Sequence, residues 1–438
     1  MSIPSCINIA SGVCRRTTGL TGRAKVELFK SMQQEVSSRT NRTILGIASL
    51  MAFAIWAPTF CVPPMEHILK EELLITHTQA GLLYAIPFLM MVVLGIPGGF
   101  LADRIGFRKA AGIGIAIVAV GTILRGTASS YSSLVAFNFI YGVGVGLSFP
   151  NLPKLISGWV SREKIGIATG VYSSLMVTGT ALALAITMPL IFPITNSFQG
   201  VFFFWSIPPI VAAVLWWILV REPPRDNIPD EPVSRSNTSL RRIIQNKHLW
   251  LVAILFLLLL FFLDSWSAWA PALMMMKGAT ENIAGLIVSI SLWVGIPTAL
   301  FIPRFSCKLG LRKPFLWIPA ITLALAAWGA IYISIPLSWP FMVLVGVALN
   351  AFIPIILALP IEMVSKEEVG TATGLVLSIG NIGAVIGPLV GGRIFDLTGN
   401  LHLFLLVLVG ISVAATAIAF RIPETGPKGR SRLHGDIL

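Results

Sequence analysis

Gly99-Phe100-Leu101-Ala102-Asp103-Arg104-Ile105-Gly106-Phe107-Arg108-Lys109 is echoed 204 positions later by Pro303-Arg304-Phe305-Ser306-Cys307-Lys308-Leu309-Gly310-Leu311-Arg312-Lys313. The turn glycine and the basic pair recur in register: Gly106 with Gly310, and Arg108-Lys109 with Arg312-Lys313. The same offset pairs Gly81 with Gly285, Gly142 with Gly346 and Pro150 with Pro354, and it carries Gly166-x-Ala168-Thr169-Gly170 onto Gly370-x-Ala372-Thr373-Gly374. A duplication on this scale predicts two parallel halves of one architecture.

Working outward from these loops, the flanking chain is apolar. Of the 438 residues, 55% are hydrophobic and only 12% charged, with a mean hydropathy of +0.84, which is more apolar surface than a soluble domain can hide. Twelve stretches approach the ~20 residues that a spanning helix requires. They fall at 43–65, 78–101, 111–128, 132–156, 165–188, 199–220, 248–274, 282–303, 313–332, 337–361, 369–391 and 400–420. Barrel strands are excluded, because no segment alternates in polarity over strand lengths. The expected fold is therefore an all-α membrane protein with twelve transmembrane helices in two pseudo-symmetric six-helix bundles, 43–220 and 248–420. A linker, 221–247, rich in proline and charge, joins them, and tails 1–42 and 421–438 flank them.

The net charge of +13 does not point to nucleic acid. Of the 32 Lys and Arg, 28 lie in the tails, the linker and alternate loops, all on one side of this topology. That excess assigns the side, with both termini, to the cytoplasm of a bacterial or archaeal inner membrane. Residues 1–42 hold seven basic residues but no apolar core, so they do not read as a secretory signal peptide; 26–33 could form a short amphipathic helix. Cys6, Cys14, Cys61 and Cys307 lack metal-ligand spacing, and no disulfide is expected. Five scattered histidines, with no nucleophile elbow or phosphate-cradling loop, argue against an enzyme. No cofactor, metal or nucleic-acid partner is expected. A small solute, a proton or other coupling ion, and lipid are, and the chain is expected to act as a monomer.

The loop 99–109 resembles the Gly-x-Leu-x-Asp-Arg-x-Gly-Arg-Arg pattern between helices two and three of the major facilitator superfamily. The resemblance covers about 43–420 and implies a secondary transporter that works by rocking two bundles about a central site. It assigns Gly99, Asp103, Arg104, Gly106, Arg108 and Lys109 to a conformational latch. Arg104, Arg108 and Lys109 would bridge to acidic groups or carbonyls on the side of the fifth span or in the other half. The second copy has Cys307 in place of Asp103, so the first should matter more. The family's proton-relay arginine is absent from Asn138-Phe139-Ile140-Tyr141-Gly142. The Gly-Pro antiport pattern stands in the eleventh span, as Gly387-Pro388, rather than in the fifth.

Ionisable groups inside spans are costly and mark pathways. Asp264, in the seventh span, could take a proton, bind a cation or hold an amine, or simply bond to Ser265 or Ser267. Arg125, near the outer end of the third span, could attract an anion or snorkel to the headgroups. Trp56 and Trp269 share a Trp-Ala-Pro context in matching spans, and with Trp293 they could wall a cavity. Tyr84, Asn138, Asn350 and Asn381 could orient a solute. Lys154 and Glu362 lie at cytoplasmic helix ends, where gating ion pairs or plain surface exposure would serve equally well. The resemblance to small-anion and organic-anion porters suggests proton-coupled uptake of a small organic or inorganic anion. The alternative is proton-driven export of an amphipathic or cationic compound.

Overall fold

The computed structural model describes residues 43–152, 159, 165–220, 242–364 and 368–426. The amphipathic segment 26–33, Lys154 and most of the linker lie outside them. Among the described residues, twelve helices are long and apolar enough to cross a bilayer. They are α1 (Thr43–Leu73), α2 (His77–Ile105), α3 (Phe107–Gly126), α4 (Tyr131–Asn151), α5 (Ala168–Thr195), α6 (Phe198–Leu219), α7 (Lys247–Met276), α8 (Glu281–Leu309), α9 (Pro314–Tyr332), α10 (Ile335–Met363), α11 (Val369–Thr398) and α12 (His402–Arg421). With an even number of crossings, α1 begins and α12 ends on one face, called terminal here. The opposite, distal face carries the α1–α2, α7–α8 and α11–α12 turns.

Each expected span is present, with altered ends. α1 continues past 65 through a 3-10 turn at Pro63–Met65 and a further helix at Glu66–Leu73, and α11 continues past 391 to Thr398. α8 is broken at Val294 into Glu281–Trp293 and Gly295–Leu309. The repeated glycine of the opening loops is needed at both turns, since Gly106 and Gly310 have φ of 90° and 71°, values that a side chain disfavours.

The halves meet along two seams, α2 against α11 and α5 against α8. The 204-residue offset maps a close glycine contact of one seam onto one of the other. A Cβ on Gly81 would lie 2.7 Å from the Pro388 carbonyl oxygen, and one on its counterpart Gly285 would lie 2.3 Å from that of Leu184, the counterpart of Pro388. Inside the halves the mapping holds again: a Cβ on Gly179 would lie 2.8 Å from the Phe53 carbonyl oxygen, and one on Gly383 would collide with that of Leu257. Missing side chains let these helices touch backbone to backbone, the way that spans associate where lipid supplies no hydrophobic drive.

Candidate functional site

Asp264 lies midway along α7 and is 2% exposed. Its partner is neither Ser265 nor Ser267. The Tyr84 hydroxyl, on α2 of the other half, donates to Oδ1 at 3.2 Å. Ser267 bonds back to the Leu263 carbonyl, and the Ser265 hydroxyl has no partner among the described residues. Around Tyr84 stands a cluster of rings: Phe60 and Phe88 at centroid distances of 5.5 and 5.4 Å, then Trp56 at 5.2 Å from Phe88 and 5.3 Å from Phe149. The Trp56 indole N–H is buried and without a partner among the described residues. A carboxyl, a phenol and an unused indole donor thus sit among aromatic faces where the two halves meet.

Arg125 does not snorkel. It is 1% exposed, donates to the Pro58 carbonyl at 2.9 Å, and lies over the rings of Tyr141 (4.9 Å) and Phe202 (4.1 Å). These partners belong to α1, α4 and α6, so the cation is sequestered inside one half. Cation–π contact and one carbonyl offset part of the cost of burying it.

Two of the asparagines mend broken helices. Pro87 has no N–H for the Leu83 carbonyl one turn before it, and Asn138 donates to that orphan at 2.6 Å. Asn350 donates to the Ser291 carbonyl at 3.3 Å, next to the break in α8. Thus α4 staples α2 and α10 staples α8, which are equivalent pairs. Asn381 bonds within its own helix, to the Leu377 carbonyl at 2.8 Å. Trp269 packs against the distal part of the α2–α11 seam. Its N–H donates to the Pro388 carbonyl at 3.0 Å, and its ring meets those of His77 and Phe395, each at 6.0 Å. Trp293, 37% exposed, stands at the break in α8.

At the terminal face, Arg108 donates to the Trp217 carbonyl at 3.0 Å and to that of Val220, while Trp216 donates to the Arg108 carbonyl at 2.9 Å. Among the described residues, Arg108 thus caps the end of α6 in its own half rather than reaching the fifth span or the other half. Arg104 and Lys109 are exposed, and the helix of Gly99 and Asp103 ends at Gly106. In the second half, Arg312 pairs with Glu362 at 2.9 Å, and the Glu424 carboxylate accepts from the N–H groups of Arg312 (2.6 Å) and Lys313 (3.0 Å). Partial burial acts against the Arg312 charge, but bonds to Glu362 and to the Cys307 sulfur outweigh it and hold the guanidinium above its usual pKa. Burial pushes the Lys277 ammonium down, where it caps the Ile331 and Ile333 carbonyls at 3.0 Å.

A distal cluster escapes sequence reasoning. The Asp396 carboxylate, at the end of α11, accepts from the backbone N–H groups of His77 (2.7 Å) and Thr78 (2.9 Å) across the α2–α11 seam. The His77 ring nitrogens lie 2.6 Å from Glu66 Oε1 and 2.7 Å from Lys70 Nζ, and His67 lies 3.1 Å from Glu281 of α8. The available signal was a set of charges just beyond two apolar runs, at 66–72 and at Arg393 and Asp396.

The sequence profile of the Major Facilitator Superfamily matches residues 45–280 and 267–436, nearly all of the described chain. The chain belongs to the major facilitator superfamily. Among its relatives, the uncharacterized transporter YycB of Bacillus subtilis (strain 168) is 24% identical over 377 residues, covering 85% of this chain and 91% of YycB. The cyanate transport protein CynX of Escherichia coli (strain K12) is 24% identical over 342 residues, covering 77% of this chain and 86% of CynX. The fold matches a bacterial homologue of the human lysosomal transporter Spinster, solved inward-facing and unoccupied, with a TM-score of 0.72 at 17% identity over 87% of this chain and 97% of that one. As a member of the superfamily, the chain is an integral membrane protein that carries a small solute by alternating access. Among the described residues of this superfamily member, polar links between the halves stand at the distal end, around Asp396 and Glu281, and midway, at Tyr84 and Asp264.

Proposed function

We propose that the protein couples proton movement to uptake of a small monovalent anion, with Asp264 as the proton carrier. The observation that carries this reading is the buried Asp264–Tyr84 bond, which places an ionisable group on the boundary that alternating access must open. An anion about 5 Å from an ionised carboxylate would be repelled by roughly 3 kcal/mol at an effective dielectric near 20. Protonation removes that repulsion and adds a donor beside Tyr84. Anion and proton then cross together without net charge. The likeness to a cyanate transport protein supports this substrate class. Arg125 holds no solute in this reading, because its guanidinium is enclosed within one half.

The rest of the assignment follows. Bundles 43–220 and 248–420 rock as units in a bacterial inner membrane, both termini face the cytoplasm, and the protein works as a monomer. The loop 99–109 acts at the terminal face through Arg104 and Lys109.

The aromatic cluster favours a second reading, export of an amphipathic cation, since an ionised carboxylate among ring faces suits a positive charge. Reconstituted vesicles with a pH-sensitive dye inside separate the two. Labelled cyanate or another small monoanion should accumulate under an inward proton gradient with about one proton per anion. Accumulation of a lipophilic cation against proton flow, with no anion uptake, would replace the first reading by the second.

A further inference from the structure

We propose that Asp396 is the distal latch of the transport cycle: a carboxylate on one half that grips the open N-terminus of α2 on the other and must release it before the distal end can open. The inference requires only alternating access, not the identity of the solute.

A helix leaves its first four N–H groups without intrahelical partners. At α2, a capping box satisfies two of them within the chain: the Thr76 hydroxyl takes the Gln79 N–H at 3.2 Å and the Gln79 side-chain oxygen takes the Thr76 N–H at 2.8 Å. The N–H groups of His77 and Thr78 remain, and both go to Asp396, whose Oδ2 also accepts from the Thr78 hydroxyl. The cap of this helix is therefore complete only while the halves are together. An ionised group on the positive end of a helix is among the stronger polar contacts available.

The surroundings fix the grip. One turn earlier in α11, Gly392 lies so close to α2 that a Cβ would come within 2.6 Å of the His77 carbonyl oxygen. The His77 ring stacks on Phe395 at 3.8 Å, with Glu66 and Lys70 at its two nitrogens. Asp396 thus meets a rigid platform rather than a mobile loop.

The other seam has no equivalent. The 204-residue shift places Glu281 at the counterpart of His77 and Phe192 at the counterpart of Asp396. No carboxylate from α5 can cap α8 there, Thr280 gives α8 no side-chain cap, and Glu281, half exposed, faces His67 instead. Both seams part when the distal end opens, but only one carries the charged grip.

The test uses the full chain in lipid nanodiscs, with paired spin labels read by double electron–electron resonance. One pair, at Glu72 at the distal end of α1 and Leu397 of α11, spans the divide between the halves beside the α2–α11 seam. The second, at Ile194 and Asn282, spans the α5–α8 seam. Asp396→Ala should lengthen both distance distributions and raise the ratio of distal-open to distal-closed molecules about tenfold. Thr78→Ala, which removes one hydroxyl bond and spares the fold, should shift both in the same direction by less. A merely local role predicts that only the first pair moves. That result, or unchanged distributions in both variants, overturns the proposal.

Discussion

Among the described residues, the polar ties from one half to the other gather toward the distal end, while Arg108 and Arg312 at the terminal end each bind within their own half. Gly285 meets the Leu184 backbone so closely that a methyl would sit 2.3 Å from its oxygen, whereas Gly170, toward the terminal end of the same α5, has only the tip of Leu300 at 3.5 Å, and Gly374 has nothing within 4 Å. Charge follows the same division. Asp396 reaches across the α2–α11 seam and Glu281 faces His67 of α1, but Arg108 caps α6 of its own half and Arg312 pairs with Glu362 of its own half. The difference teaches that one end holds a conformation while the other holds each moving body rigid, as a rocking mechanism requires.

The deepest link between the halves gives the largest expected effect. Asp264→Asn keeps the size and an acceptor for Tyr84 but cannot carry a proton. Proton-driven accumulation should vanish while exchange of solute for solute continues at a rate within a fewfold of the parent. Undiminished accumulation would remove Asp264 from coupling. Next in size is the contrast between repeated glycines at the two ends. Gly285→Ala places a methyl against a backbone that cannot yield, so transport should fall by more than about tenfold, with protein still in the membrane but unable to close distally. Gly374→Ala should stay within about twofold. Equal losses from the two would mean that the terminal end closes as tightly as the distal one in this state.

Much of this division can be traced to particular residues in the sequence. The twelve apolar runs and the paired Gly81 and Gly285 announce the bundles and their seams, because lipid demands long apolar helices and close packing demands a missing side chain. The helix extensions at 66–73 and 392–398 escape notice, since Glu66, Lys70, Glu71, Glu72 and Asp396 end the apolar pattern, and some of their partners lie on another helix hundreds of residues away. Asn138 was half legible: Pro87 advertises an orphan carbonyl at Leu83, but which side chain reaches it depends on how α4 crosses α2. Arg125, placed by its position near a membrane boundary, is enclosed because α1 and α6 bring Pro58 and Phe202 over it, and no local pattern encodes that meeting.

Smaller effects should come from the bonds that hold each half rigid. Glu362→Gln leaves Arg312, itself only 12% exposed at the side chain, without its counter-ion and weakens the acceptor for Thr425. Loss of one partner from a largely buried pair should cost about 2 kcal/mol, visible as a lower unfolding temperature in detergent. Arg108→Ala removes bonds to two helix-end carbonyls nearer to water and should cost about 1 kcal/mol. If Arg108→Ala proved the more damaging, the first loop would be doing more than capping its own half.

The smallest expected change separates the loops themselves. Arg104 and its counterpart Lys308 are both exposed in the present state. Only Arg104 follows an aspartate, since Cys307 stands at the counterpart of Asp103. If the first loop engages the other half when the terminal end closes, Arg104→Ala destabilises a state absent here and should leave the static structure untouched. An exposed ion pair contributes up to about 1 kcal/mol, so turnover should slow by no more than about fivefold, with the half-saturating solute concentration nearly unchanged. Lys308→Ala should alter neither quantity. Equal slowing by both substitutions would show that charge at this position, rather than the Asp-Arg pair of the first loop, governs the swing. A loss confined to affinity would place Arg104 near the solute and not on a latch.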